Sequence, residues 1–240
     1  MATIADKTVL VTGANRGIGH ALVEEALKRG AKRVYAGTRQ AWAHPHERVT
    51  RVALDVTNQA QVQEAVDTVG PLDVLVNNAG VLSYDDLSDR GLIEQHLAVN
   101  LFGTIDVTQA FLPLLARPGG RVINNLSVNA LAPLPMIPAY SISKAATFSF
   151  TQSLRALLGG TGITVHAVLT GPVDTDLIRT FDTPKASASS VAQAIFNGVE
   201  NEEEDIFPDP ASATLAESWR TGAVKGLERW FATLAGPASA

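Results

Sequence analysis

Short runs of aliphatic and β-branched residues alternate along the chain with longer stretches whose apolar positions recur every three to four residues. "KTVLVTG" (7–13) predicts a buried strand, and "GIGHALVEEALKRG" (17–30) predicts an amphipathic helix closed by Gly30. "KRVYAGTR" (32–39) and "VTRVALDV" (49–56) read as strands. Only "QAWAHPHER" separates them, too short and Pro-broken for a good helix. "NQAQVQEAVDTVG" (58–70) is a helix with Asn58 as its N-cap, and "PLDVLVNNAG" (71–80) is strand then turn. Helix follows over about 89–116, strand over 119–127, helix over about 138–158 to the stop at Gly159-Gly160, and strand over 162–171. "SASSVAQAIFNGVE" is a helix, "EEDIFPD" a short last strand, and the tail from about 211 to 234 is helical. This alternation implies a parallel sheet covered on both faces. No composition break divides residues 1–240, so a single α/β domain is expected.

Composition narrows the function classes. Apolar residues make up 46% of the 240 and charged residues 18%, enough for a substantial core. The net charge of −5 sets up no field for nucleic acid or an anionic membrane surface. No apolar run reaches the ~18 residues of a membrane span, and no signal peptide is visible. Cysteine is absent, which excludes disulfides and Cys-ligated metals and fits a reducing cytoplasm. The histidines at 20, 44, 46, 96 and 166 lack carboxylate partners in sequence, so no metal site is expected. The acidic run "ENEEED" (200–205) reads as a solvated helix end, and Trp219 and Trp230 as packing or interface residues.

The first strand runs straight into "TGANRGIG" (12–19). Gly13 permits a tight turn, and Gly17 and Gly19 let the backbone approach a pyrophosphate at a helix N-terminus. Asn15, Arg16 and Ile18 complete that loop. The second strand ends in Thr38-Arg39 with no Asp or Glu from 34 to 40, where an acid would grip a bare ribose diol. Arg39, helped by Arg16, suits a 2′-phosphate and predicts NADP(H) over NAD(H). Beyond the fifth strand stands Ser127, and the next helix carries Tyr140 and Lys144 at i and i+4, on one face. A phenol of pKa near 10 is a poor catalyst at neutral pH, and an ammonium held close should lower it. Ser127 could hydrogen-bond a substrate oxygen. It does not lie in G-x-S-x-G, so a hydrolase elbow is not indicated.

Taken in order, "TGANRGIG", "LDV", "NNAG", Asn100 in "VNLFG", Ser127, "YSISK" and "GPVDT" resemble the short-chain dehydrogenase/reductase family, in its single-domain branch. The resemblance implies a doubly wound sheet of about seven strands and an NAD(P) cofactor. It implies Tyr140 as acid–base, Lys144 as pKa modulator and ribose ligand, Ser127 orienting the carbonyl, and Asn100 holding a water in the proton relay. It also implies cofactor contacts from Asp55, Val56, Asn78, Ala79, Gly80, Gly171, Val173 and Thr175. Two departures stand out. Thr170-Gly171 replaces the usual Pro-Gly pair and should loosen the following loop, about 175–187. The short second crossover should leave the adenine end open.

The expected activity is interconversion of a neutral, largely apolar ketone and its secondary alcohol. Alternatives are reduction of a thioester-linked or polyketide-type ketone, or low-turnover dinucleotide sensing. Leu131, Leu134, Met136, Ile137, Leu177, Ile178 and Phe181 would line the substrate end. Apolar residues on a second helix face, Phe111, Leu115, Phe148, Phe150 and Leu154, predict a homotetramer or homodimer.

Overall fold

The computed structural model describes residues 3–115 and 119–234. Seven strands form one all-parallel sheet in the order β3-β2-β1-β4-β5-β6-β7. They are β1 (Thr8–Thr12), β2 (Arg33–Thr38), β3 (Val49–Ala53), β4 (Val74–Asn77), β5 (Arg121–Asn125), β6 (Thr164–Val168) and β7 (Asp205–Ile206). The helices are α1 (Gly17–Lys28), α2 (Gln59–Val69), α3 (Arg90–His96), α4 (Gly103–Phe111), α5 (Pro138–Leu157), α6 (Ala188–Glu200), α7 (Pro210–Thr221) and α8 (Ala223–Ala232).

The strand period of two sorts the core. Val9, Val11, Val74 and Val76 point to the face covered by α1 and α6. Leu10, Leu75, Val122 and Val165 point to the face covered by α2, α4 and α5. Local signals end the helices as the sequence suggests. Asn58 caps α2 by accepting from Gln61 N–H, Ser187 caps α6 through Ser190 N–H, and Gly30 follows α1 at φ +81°. No helix lies between β2 and β3. There Arg48 donates to Ala31 O (2.7 Å), and Trp42 packs against the core beside α1.

Four expectations change in three dimensions. The helix over about 89–116 is not uniform: α3 and α4 are joined by a π-helical turn at Leu97–Phe102 and followed by a 3₁₀ turn at Leu112–Leu114. Residue 116 lies outside the described residues. The segment 90–114 does reach the length and mean hydropathy (1.3) of a membrane span, although no apolar run does so in the sequence. Its Val107 and Phe111 are fully buried in the core, and Asn100 and Thr108 are buried in polar contacts.

The tail is two helices broken at the extended Gly222. The acidic run is not a solvated end. Glu200 binds Arg29 (2.5 Å) and Ile4 N–H (3.0 Å), and Glu203 binds Arg220 (2.6 Å). Asp205 binds Arg155 (2.8 Å), Lys225 (2.7 Å) and the Trp219 indole N–H (2.7 Å). Because these acids take up the charged side of α8, that helix turns Val224, Leu227, Trp230 and Phe231 outward. Meanwhile Phe111, Leu115, Phe148 and Leu154 are buried in the chain's own core, with Phe150 packed against it, so they form no second face.

His166 on β6 is buried as a neutral ring. Its Nδ1 faces Glu203 O (2.7 Å) and its Nε2 faces the Thr164 hydroxyl (2.8 Å). Burial pushes its pKa from 6.5 down to about 4, against a weaker upward pull from Glu203 O. The unfolded chain binds this proton near 6.5 and the folded chain only near 4. The stability is therefore whole above pH 6.5 and declines as pH falls toward 4, by roughly 3 kcal/mol if this group acts alone. Urea midpoints between pH 7 and 4.5 should fall for wild type and fall less for His166→Asn. Parallel declines would show that other groups dominate.

Candidate active site

The carboxyl ends of the parallel strands open into one cavity of about 540 Å³. Parallel sheets place their clefts there because every strand delivers its following loop to the same edge. The loop after β1 and the start of α1 form one wall. Gly13 and Gly17 adopt φ of +65° and +54°. A Cβ on Gly19 would stand 2.2 Å from Gly13 O and 2.6 Å from Asn78 Nδ2, so glycine is required. Helices α2, α3, α6 and α7 all begin with a side-chain cap, whereas α1 begins at Arg16 with none and with no acid in its first turn. Its first N–H groups are therefore free for an anion, and this glycine-lined mouth fits a dinucleotide pyrophosphate.

Amides pin this edge together. Asn78 N–H and Ala79 N–H both donate to Thr12 Oγ1 (2.9 and 3.0 Å). Asn78 Nδ2 donates to Thr12 O (2.9 Å), and Asn125 Nδ2 donates to Asn78 Oδ1 (2.9 Å). One strand-pair inward, Asn77 Nδ2 donates to Asn124 Oδ1 (2.9 Å) and to the Thr108 hydroxyl (2.8 Å).

Tyr140 and Lys144 come from one face of α5. Pro138 and Ile137 give that helix no side-chain cap of their own, and Asp85, far off in sequence, accepts from Ala139 N–H at 3.2 Å. Lys144 Nζ donates to Asn125 O (2.8 Å) and lies 5.6 Å from the Tyr140 ring centre. Burial pushes the Tyr140 phenol up to about 12, against the downward effect of its hydrogen bond with Ser127. Burial pushes Lys144 down to about 8. The expected lowering of the phenol by the ammonium is thus overcome by desolvation in the protein itself. His96, fully buried, packs edge-on to Tyr140 at 6.5 Å, with Nδ1 on Leu92 O and Nε2 accepting from Ser83 N–H.

The cavity gathers Gly13, Asn15, Arg16, Gly17, Ile18, Gly19, Arg39, Asp55, Val56, Asn78, Ala79, Gly80, Ser127, Tyr140, Lys144, Gly171, Val173 and Thr175. Two expected residues do not line it. Thr38 is buried beneath, its hydroxyl donating to Gln40 O (2.8 Å) and accepting from Arg51 Nε (3.2 Å), and Gln40 faces the cavity instead. Asn100 lies behind the wall in the π-helical turn. Its amide spans Val81 N–H and O (2.9 and 3.0 Å) and Ser143 Oγ (2.8 Å), and its carbonyl accepts from Thr104 and Thr147 hydroxyls. With those groups committed, Asn100 shapes the Gly80–Val81 turn and offers nothing directly to the cavity. A profile of the short chain dehydrogenase family matches residues 7–186.

The chain belongs to the short-chain dehydrogenase/reductase family, whose members are oxidoreductases. Rat estradiol 17-beta-dehydrogenase 2 is 33% identical over 196 residues, covering 75% of this chain and 51% of that protein. The chain therefore spans about half the length of that relative. An uncharacterized oxidoreductase of Staphylococcus aureus (strain USA300) is 32% identical over 211 residues, 81% of this chain and 91% of that one. A solved short chain dehydrogenase from Burkholderia cenocepacia J2315, in complex with NADP, superposes with a TM-score of 0.86 at 32% identity, covering 95% of this chain and 98% of that one.

The apolar end of the cavity is formed by Val128, Leu134, Ile137, Leu177, Ile178 and Phe181. Leu131 instead packs into a small cluster with Phe148 and Trp219, and Met136 is exposed. Tyr84, which motif reading missed, stacks on Phe181 at 5.3 Å and meets the Thr180 hydroxyl at 3.1 Å. Asp176, also missed, reaches Arg16 at 3.6 Å and joins the substrate loop to the phosphate loop. The base of the loop after Thr170 is hydrogen-bonded on several sides. The Thr170 hydroxyl donates to Leu126 O (3.1 Å), Gly171 N–H donates to Asp209 Oδ2 (2.7 Å), and Pro172 and Asp174 bond Ala186.

Proposed function

We propose that this dehydrogenase interconverts a neutral, largely apolar ketone and its secondary alcohol with NADP(H), in the cytoplasm. The observation that carries the reading is the placement of Tyr140, beside Ser127 and one helical turn from Lys144, where the phosphate-loop cavity meets an apolar chamber. The relative in complex with NADP supports the cofactor class.

The nicotinamide, when bound, supplies or accepts the hydride. Lys144, Asn78 and Gly80 would hold its ribose side, and Val173 and Thr175 its carboxamide side. The residues do the rest. Ser127 fixes the substrate oxygen by a hydrogen bond. Tyr140, neutral at pH 7 with its pKa near 12, gives that oxygen its proton in reduction. Lys144 keeps a positive charge beside the phenol, which favours the phenolate left behind. Asn125 O and the Asp85-capped helix hold both groups in place.

Arg39 and Arg16 stand at the adenine end. Asp55, an acid in the same stretch of wall, meets an upward push from burial that is outweighed by Thr57's N–H and hydroxyl and by the Arg39 charge, so its pKa is lowered. Its oxygen is engaged by Thr57 (3.0 and 2.7 Å). We also propose self-association as a homodimer or homotetramer, through a different surface from that read in the sequence. The outward stripe Val224, Leu227 and Phe231 carries no charge to recruit a charged partner, and a symmetric copy would meet it with the same apolar surface.

Tyr140→Phe should lower kcat for ketone reduction by ~10²-fold or more while NADPH still binds, as followed by nucleotide fluorescence. Retention of a tenth of wild-type kcat would remove Tyr140 from the proton transfer. Arg39→Asp should raise the KM for NADPH about tenfold and leave NADH unchanged or better, since one exposed charged pair contributes ~1–2 kcal/mol. Equal use of both nucleotides by wild type and variant would sink the NADP(H) preference. Light scattering should give a particle larger than the 25.3 kDa chain, reduced to that mass by Leu227→Asp with Phe231→Asp. A 25.3 kDa wild-type particle at micromolar protein would end the oligomer proposal.

A further inference from the structure

The apolar substrate end holds one amide without a task. Asn129 lines the cavity from the 3₁₀ turn Val128–Ala130, two residues beyond Ser127. Its backbone N–H donates to Ser127 Oγ (3.1 Å), but its side-chain amide has no hydrogen-bonding partner among the described residues. The same cavity is also lined by Leu134, Ile137, Leu177, Ile178 and Phe181, none of which offers a polar side chain. An apolar substrate filling this chamber would strip water from the amide and return nothing, and that penalty falls on binding. A substrate that brings a hydrogen-bonding group to the amide avoids it. The charge of that group is also constrained. Asp176 lines the same end, with Arg16 and Arg179 already engaged on it, so a carboxylate on the substrate would meet there an anion whose cationic partners are taken.

We propose that Asn129 is a specificity residue for a ketone bearing a second, neutral hydrogen-bonding oxygen, a hydroxyl or carbonyl, a few carbons from the reacting carbonyl. The short spacing follows from the turn. Ser127 Oγ accepts from Asn129 N–H at 3.1 Å and both residues line the one cavity, so both anchors lie close to one region of substrate. The amide can donate or accept, and so suits either oxygen. A polar site of this kind discriminates against the analogue that lacks the matching group more sharply than an apolar pocket does against an added one.

This inference rests on the reductase reading above, and its test separates the two. NADPH oxidation would be followed with cyclohexanone and with its 2-, 3- and 4-hydroxy derivatives. Wild type should prefer at least one hydroxyketone to cyclohexanone by tenfold or more in kcat/KM, chiefly through KM. Asn129→Leu should bring the two within about threefold by weakening the hydroxyketone, with folding checked by thermal midpoint. Reduction of cyclohexanone with no preference among the four, or a preference that survives Asn129→Leu, overturns the Asn129 assignment alone. If wild type reduces none of the four, the reductase reading falls and takes this assignment with it. Should Asn129→Leu fail to fold, the wild-type preference decides.

Discussion

Three parallel strands end at one place, and their last carbonyls and amides must be satisfied without filling the space between them. Asn78 meets this constraint. Its backbone N–H and its amide both return to Thr12 at the end of β1, and its carbonyl accepts from Asn125 at the end of β5. The Oδ1 atoms of Asn77 and Asn125 have no partner among the described residues, but amides stiffen an edge where they are paired. Here they hold β1, β4 and β5 at a fixed spread, and the phosphate loop packs against them so closely that a side chain on Gly19 would strike both Gly13 O and the Asn78 amide. The free N–H groups of α1 owe their position to this arrangement. So does Lys144, which finds its only acceptor among the described residues in the backbone oxygen of Asn125.

Tyr140 and Lys144 are placed by burial as much as by bonds. Tyr140 and Lys144 each lie in a dry site that favours their neutral forms, which sends their pKa values in opposite directions, to about 12 and about 8. A phenol in this condition keeps its proton at pH 7 and parts with it reluctantly, so a positive charge beside the phenolate eases its loss. Two distant carboxylates keep the frame rigid. Asp85 caps the helix that carries both groups, and Asp209 grips Gly171 N–H while capping α7.

What could be read from the sequence was what depends on near neighbours. A strand's period, the glycine spacing after β1, the Asn58 cap and the i, i+4 pair on α5 are all written within a few residues of one another. The missed features depend on partners far along the chain. "ENEEED" looks like a solvated run until the fold brings Arg29, Arg155, Arg220 and Lys225 to it, and nothing local to 200–205 announces them. Thr38 and Asn100 have the right identities and the right strand ends or helix, but hydrogen bonds to Gln40 and Val81 take their polar groups away from the cavity. Leu131 and Met136 share a segment with Leu134 and Ile137, and only the turn geometry decides which of them face inward. The buried Phe111 and Leu154 read as a surplus apolar face because a helix between a sheet and a neighbouring helix is apolar on two sides within one chain.

The distribution of charge along the cavity then sorts what can lie in it. Arg16 and Arg39 stand at one end, where the glycine backbone also offers bare N–H groups to an anion. The buried ammonium of Lys144 stands in the middle, already on a carbonyl. Beyond Tyr140 the wall is apolar apart from Asn129 and Asp176, and Asp176 is paired with Arg16. A molecule that lies along the whole length must therefore be anionic at one end and uncharged at the other. Because Arg16 is bonded across the opening to the loop that closes the apolar end, an anion drawing on Arg16 also draws on the partner of Asp176. The charge at the first end and the cover over the second are joined through a single side chain.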